Sequence, residues 1–412
     1  MVVKFIRNAS VCTPEGETPS RGSGQGVTRS FRGAMIVENG LIAAIGPEED
    51  LSGHPLLKCV DEEVDCGGQC VIPGFVDPHT HMCFAARRED EFALRLAGAT
   101  YLDILKAGGG ILSSVRRVHE TSEGDLFEAT LGLALSALSF GTTTVEIKSG
   151  YGLDTESELK MLRVIARVGR ESPLDVVPTF MGAHAVPAEY KGNEEAFVDL
   201  VVREMLPAVK EQGIARFCDV FCEEGVFSVN QTRRILEAAK TLGFRLKIHA
   251  DEVHDTGGAV LAGELGAQSA EHLLAAGDRG IASLASGGTI AVLLPATAYS
   301  LRKPYARARA MIDGGVPVAL ATDCNPGSSF TESMPFVFGL AVMGMGLTVE
   351  EALVASTKNS AHAIGLGAKC GTLEVGKQAD FLILDGETPA ILAYHAGVSP
   401  VEAVFKKGER VW

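Results

Sequence analysis

A chain of 412 residues with 46% hydrophobic content can bury one large core and a smaller satellite, so two domains are expected. Its formal net charge of −15, with no basic stripe to offset it, sets nucleic acid aside and obliges any small anionic ligand to meet a specific cation inside its pocket. The start MVVKFIRNASVCTPEGE has no continuous apolar segment, the run FVFGLAVMGMGLTV is shorter than the ~20 residues of a membrane span, and nine cysteines are scattered without a CxxC pair, which points to a soluble chain in a reducing cytoplasm.

Residues 1–73 read as short strands and turns: VVKFIR, then GAMIVENGLIAAIG with its Asn39-Gly40 hairpin signal, then EVDCGGQCVIPG. They predict part of a small β domain. The stretch PEGETPSRGSGQG at 14–26 predicts a mobile surface loop. From Phe75 onward eight β-rich runs alternate with helical stretches: GFVDPHTH, TTTVEIKSG, DVVPTFMGAH, FCDVFCEEG, RLKIHADE, SAEHL, TIAVLLP and VPVALATD. That cadence predicts parallel strands with helical crossovers, a (β/α)8 barrel over 74–365. In ESELKMLRVIARVGRE the residues Leu159, Leu162, Ile165 and Ala166 share one helical face and read as core. After residue 365, GTLEVGKQADFLILDG and VEAVFKKGERVW return to strands. Residues 366–412 should complete the N-terminal β domain, so that the barrel is inserted in a small composite β-sandwich formed by both chain ends.

Functional residues of such a barrel belong at the C-terminal ends of its strands. His79 and His81 end the first strand, His184 follows the third, His249 ends the fifth, His272 the sixth and Asp323 the eighth. Alternation aims residues i and i+2 at the same side, so His79 and His81 converge on one point, as ligands or as two half-buried rings, and partners elsewhere must decide. Imidazoles with a carboxylate suit Zn²⁺ or a similar ion that acidifies a water. Glu252, three residues past His249, is placed to bond a water or a substrate nitrogen. Asp323 can ligate through one oxygen and accept a proton through the other, with His272 orienting the nucleophile. Cys83 and Cys324, close to His81 and Asp323, read as small packing residues. The other histidines, 54, 119, 254, 362 and 395, read as surface or core.

VDPHTH, KIHADE, AEHL, LATDCNPGSS and GTLEVGKQADFLIL together resemble the amidohydrolase superfamily over nearly the whole chain. FAARREDEF, YLDILKAGGGILSSV, TTTVEIKSGYGL, TFMGAHAVP, YARARAMID and DCNPGSS resemble its branch that opens a cyclic amide in histidine breakdown. The resemblance implies a mononuclear site of His79, His81, His249 and Asp323 holding zinc or iron. It also implies hydrolysis of 4-imidazolone-5-propanoate to N-formimino-L-glutamate, and a homodimer. Two-metal members carry a lysine at the end of the fourth strand; FCDVFCEEG has none, so one metal is expected.

The residues that would set specificity agree with that branch. Arg88, on the first loop, offers a fork of donors suited to a carboxylate, or else pairs with Glu89 or Asp90. Tyr151 and His184 stand on the second and third loops, where they can hold the ring and the propanoate. Asn325, Gly327 and Ser328 form a turn whose side chains and N–H groups can bind an anionic tail, although Gly327 also fits a plain turn. A guanine- or cytosine-type aminohydrolase would use the same scaffold and the same glutamate, with no need of Arg88, Tyr151 and the NPGSS turn together. A non-catalytic assembly protein would have no reason to retain every candidate ligand.

Overall fold

Asn39 and Gly40 adopt left-handed φ values of 50° and 83°, the geometry of a type I′ hairpin turn. They join β2 (Thr28–Glu38) to β3 (Leu41–Gly46). The structure is a computed structural model describing residues 1–98 and 109–412; part of the YLDILKAGGGILSSV stretch lies outside the described residues. β2 pairs with β1 (Val3–Pro14), which runs parallel to β4 (Glu62–Asp65) and β5 (Cys70–Pro73). β5 in turn pairs antiparallel with β14 (Phe381–Leu384), followed by β15 (Val401–Lys406) and β16 (Glu409–Arg410). Both chain ends thus build one mixed sheet. Leu41 bridges Gln378 just before β14, so the sheet curls, and its two halves meet over Ile6, Met35 and Val37 from one side and Phe381 and Phe405 from the other.

Gly74 is the step from this sheet into the barrel, and a Cβ there would lie 2.4 Å from the Thr143 side chain. The barrel strands are β6 (Phe75–Asp77), β7 (Thr142–Lys148), β8 (Asp175–Ala183), β9 (Phe217–Cys222), β10 (Arg245–Ala250), β11 (Ser269–His272), β12 (Ile290–Leu293) and β13 (Val318–Leu320). They pair in parallel in chain order. Helices cover their outer face, so residues on both faces of a strand are buried, as every residue of β7 is. Just past the ends of β6 and β13 the backbone closes the ring: the Asp323 N–H donates to the His79 carbonyl (3.1 Å) and the His81 N–H to that of Cys324 (2.9 Å).

Two expectations need correction. The 14–26 stretch is no free loop, because the Gln25 side chain is buried, donates to the Val318 carbonyl (2.9 Å) and accepts the Val318 N–H (3.2 Å). It caps the start of β13. In the helix Thr155–Glu171, capped by the Asp154 side chain on the Ser157 N–H, the buried apolar residues are Met161, Leu162, Val164, Ile165 and Val168. Leu162 and Ile165 are core as expected, and Leu159, half-buried, packs against it, whereas Ala166 is half-buried. Among the described residues no helix is long and apolar enough to cross a membrane.

Candidate metal centre and active site

His79, His81, His249 and Asp323 come together at the C-terminal end of the barrel, all buried, with His79, His81 and Asp323 in mutual reach of one ion and His79, His249 and His272 forming an overlapping set. β6 stops at Asp77, so His79 and His81 converge from the segment just past the strand and not, as expected, by strand alternation. The His81 and His249 Nε2 atoms face each other at 3.1 Å. Asp323 Oδ1 lies 3.4 Å from His79 Nε2 and 3.7 Å from His81 Nε2. His249 donates from Nδ1 to Asp219 Oδ1 (3.1 Å), which leaves its Nε2 as a lone pair aimed inward. Neither ring nitrogen of His79 nor Asp323 Oδ1 has a hydrogen-bond partner. A buried polar atom left unpaired costs about 1–3 kcal/mol, and a cation meeting His79 Nε2 and Asp323 Oδ1 removes that cost for these two facing atoms. Burial, helped by neighbouring cationic groups, drives the pKa of His79, His81 and His249 well below the ordinary value, so the rings are neutral. The donor set fits a divalent ion. Asp219 and Glu271 also lie within reach of His79 and His249, but ammonium groups of Lys148 and Lys247 already occupy them.

Asp323 and His272 sit at left-handed φ values of 53° and 69°, strained for residues with a Cβ and typical of functional strand ends. Thr297 Oγ1 donates to Asp323 Oδ2 (2.6 Å), turning Oδ1 toward the histidines. His272 Nε2 is 3.7 Å from Glu252 Oε2. Burial first, then the nearby Glu223, pushes the Glu252 carboxyl up to about 7. Glu223 also accepts the N–H groups of Val253 (2.9 Å) and His254 (3.4 Å) and so anchors the turn that carries Glu252.

On the open side, His184 stacks on His81 with centroids 4.9 Å apart, and Tyr151 lies 5.2 Å from His184. The His184 ring is held by a 2.9 Å bond to the Gly150 carbonyl, and burial lowers its pKa to about 4. Arg88 pairs with Glu91, neither Glu89 nor Asp90: its Nε and Nη2 donate to the two carboxylate oxygens at 3.0 and 2.7 Å. Its remaining Nη1 faces Gly327, where a Cβ would lie 2.7 Å away. Gly327 therefore makes room for a guanidinium as well as a turn. Asn325 Oδ1 accepts the N–H groups of Gly327 (2.8 Å) and Ser328 (2.7 Å), so these two donors, expected to face a ligand, are already engaged in the turn. Cys83 and Cys324 are buried thiols with pKa values raised by burial, to about 12 for Cys83 and well above the ordinary value for Cys324. They pack, and the candidate metal groups among the described residues do not include them.

The amidohydrolase family profile matches residues 70–411. The chain belongs to the amidohydrolase family. Within this family its curated relatives over nearly the full length include imidazolonepropionases. That of Desulfotalea psychrophila is 61% identical over 99% of both chains, and that of Syntrophobacter fumaroxidans is 60% identical over 99% of this chain and 97% of its own. Solved amidohydrolase-like folds are more distant. A 5-methylcytosine deaminase from Klebsiella pneumoniae superposes with a TM-score of 0.74 at 18% identity, covering 99% of this chain and 97% of its own. A zinc-bound adenosine deaminase from Xanthomonas campestris gives 0.72 at 20%, covering 99% and 92%. At such identities the likeness is one of fold.

Sequence reasoning missed the supports of this amidohydrolase site. Asp219, Thr297, Glu91 and Glu223 each hold a candidate residue in place; of these only Glu91 lies in a stretch quoted for the family resemblance, FAARREDEF, and there it was not singled out. The charged pair Glu146 and Lys148 inside the β-rich run TTTVEIK is the one signal that was there to be read.

Proposed function

We propose that this amidohydrolase opens the ring of 4-imidazolone-5-propanoate to N-formimino-L-glutamate, using one zinc or iron ion held by His79, His81, His249 and Asp323. What carries the reading is the end-to-end likeness to imidazolonepropionases, 61% identical over 99% of both chains; the geometry supplies a way for the chemistry to run. When bound, the ion contributes Lewis acidity, which polarises the ring carbonyl and acidifies a water beside it.

The chain's own residues do the rest. Asp323 and His272 hold the water and take its proton as its oxygen bonds to the carbonyl carbon. Glu252, with a pKa near neutrality, delivers a proton to the ring nitrogen as the C–N bond breaks. Arg88, through Nη1, together with Tyr151, His184 and the Ser328 hydroxyl, binds the propanoate and so aligns the ring. Asn325, whose amide nitrogen donates to the Asp323 carbonyl (2.7 Å) and to Ser328 Oγ (3.0 Å), shapes the turn and does not make the expected contact with the carboxylate. Gly327 gives Arg88 its room. Because two amides of the turn are engaged by Asn325, more of the carboxylate recognition falls to Arg88. A cytoplasmic homodimer belongs to the same reading, and sedimentation velocity checks the stoichiometry.

The test is the ultraviolet decay of imidazolone propanoate on addition of purified protein, with elemental analysis of the same sample. Decay with about one metal per chain supports the proposal. No decay by metal-loaded protein that deaminates a neutral base would replace it with the aminohydrolase alternative, which rests on neighbours of 18 to 20% identity.

A further inference from the structure

Directly beneath the candidate ligands the barrel interior is ionic where an apolar layer is usual. Glu146 and Lys148 of β7, Asp219 of β9, Lys247 of β10 and Glu271 of β11 are all fully buried. Strand alternation puts Lys247 on the same side of β10 as His249. Charges in such a place persist when closely paired; here Glu146 is hydrogen-bonded to Lys148, and Asp219 Oδ2 faces the same ammonium as an ion pair without a hydrogen bond. The Lys148 ammonium donates to Glu146 Oε1 at 2.6 Å and meets Asp219 Oδ2 at 2.9 Å.

Each of those carboxylates has a second oxygen, and each second oxygen reaches the candidate metal centre. Asp219 Oδ1 accepts the His249 Nδ1–H (3.1 Å), and Glu146 Oε2 accepts the backbone N–H of Thr80 (3.3 Å), the residue between His79 and His81. The Lys148 backbone N–H also donates to the Thr80 carbonyl (3.0 Å), and the Thr80 hydroxyl to the Glu146 carbonyl (2.7 Å). One ammonium group therefore stands at the root of two chains, one ending on the fifth-strand ligand and one on the first-strand pair.

We propose that Lys148 is a positioning residue of the metal centre, holding Asp219 against His249 and Glu146 against Thr80 so that the His249 tautomer and the His79–His81 spacing are fixed together. The proposal rests on the reading of His79, His81, His249 and Asp323 as ligands. Losing an outer-shell partner of a ligand typically weakens metal binding by about 10- to 100-fold, and Lys148 supports two such partners. The competing view is that Lys148 only neutralises two buried carboxylates so that the barrel can fold.

Two variants separate these views. Lys148→Met leaves both carboxylates uncompensated, whereas Glu146→Gln with Lys148→Met removes one charge of each sign and leaves Asp219 without its ammonium. Zn²⁺ affinity is read by competition with a chromophoric chelator, the ligand field by the visible absorption of the Co²⁺-loaded protein, and folding by circular dichroism and thermal unfolding. The expected result is a folded double variant that binds Zn²⁺ about 10- to 100-fold more weakly than wild type, with a displaced Co²⁺ band. A folded double variant with wild-type affinity and an unchanged Co²⁺ spectrum overturns the proposal. So does failure of both variants to fold, since Lys148 then holds the barrel and not the ligands. Wild-type protein that binds no Zn²⁺ removes the ligand reading itself, and with it the proposal.

Discussion

The backbone N–H of Asp323 donates to the carbonyl oxygen of His79, so two candidate ligands from opposite ends of the barrel sequence meet through main chain as well as side chain. The seam between β6 and β13 is closed by residues of the site itself. Ligand geometry is thereby tied to barrel closure, and the ion should stabilise the folded state. Binding that is confined to the native protein adds about 2.7 kcal/mol at a hundredfold excess over Kd. Chelation should lower Tm by several degrees, and Zn²⁺ should restore it. An unchanged Tm in a sample shown to have lost its metal would sever that link.

His249→Ala and Asp323→Ala should each abolish metal retention and turnover while circular dichroism stays that of a folded barrel. Stoichiometric metal in an inactive Asp323→Ala protein would remove Asp323 from the ligand set. Thr297→Val, which deletes the 2.6 Å bond to Asp323 Oδ2, should act more mildly. A loss of about 10- to 100-fold in metal affinity or activity is expected there.

Glu252→Gln should keep the metal and lose about 10² to 10⁴ in kcat, the usual weight of a proton-handling group. It also has a stability signature in metal-free protein. Folding raises the Glu252 pKa from 4.5 to about 7, so the native state holds its proton more tightly, and stability falls as pH rises through that window. The cost, fully present above pH ~7, is at most roughly 3 kcal/mol. The variant should therefore gain stability relative to wild type at pH ~8 and show little gain at pH ~5. An equal effect at both would show that Glu252 is not buried as an ionised group.

Arg88→Met should retain fold and metal but lose about 10² or more in kcat/KM for imidazolone propanoate, at roughly 1.4 kcal/mol per decade. Lysine should rescue it only in part, because a single ammonium cannot be held by Glu91 at two points and still present a fixed donor to the substrate. Gly327→Ala, which places a Cβ 2.7 Å from Arg88 Nη1, should raise KM by displacing the guanidinium. The control is an imidazolone with a neutral side chain in place of the propanoate. If wild type and Arg88→Met prefer the carboxylate by the same factor, His184, Tyr151 or Ser328 binds it instead.

The barrel was legible because its period and its strand-end residues are local signals: five of its eight β-rich runs end at or beside a histidine or aspartate. The Asn39-Gly40 turn was legible for the same reason, since only residues tolerant of positive φ fit there. What escaped depends on contacts between distant segments. Nothing in FCDVFC says that Asp219 meets His249, and nothing in PEGETPSRGSGQG says that Gln25 will satisfy both polar groups of Val318. Arg88 shows the same limit at shorter range. The choice of Glu91 over Glu89 or Asp90 follows from the helix Glu89–Leu96 that begins just after the arginine, which brings residues three apart onto one face.

The pairing of β5 with β14 bears on how the chain is made. Cys70–Pro73 leave the ribosome long before Phe381–Leu384 exist, so during synthesis one edge of β5 waits with its backbone donors unpaired while the whole barrel emerges. An open strand edge of this kind recruits foreign strands, and late long-range pairing lengthens the exposure. Nascent chains stalled before residue 380 should accordingly be cut by protease within residues 1–73 and engage a chaperone there, whereas released full-length chains should resist both. Equal resistance of the two would mean that β1 and β2 shield that edge on their own.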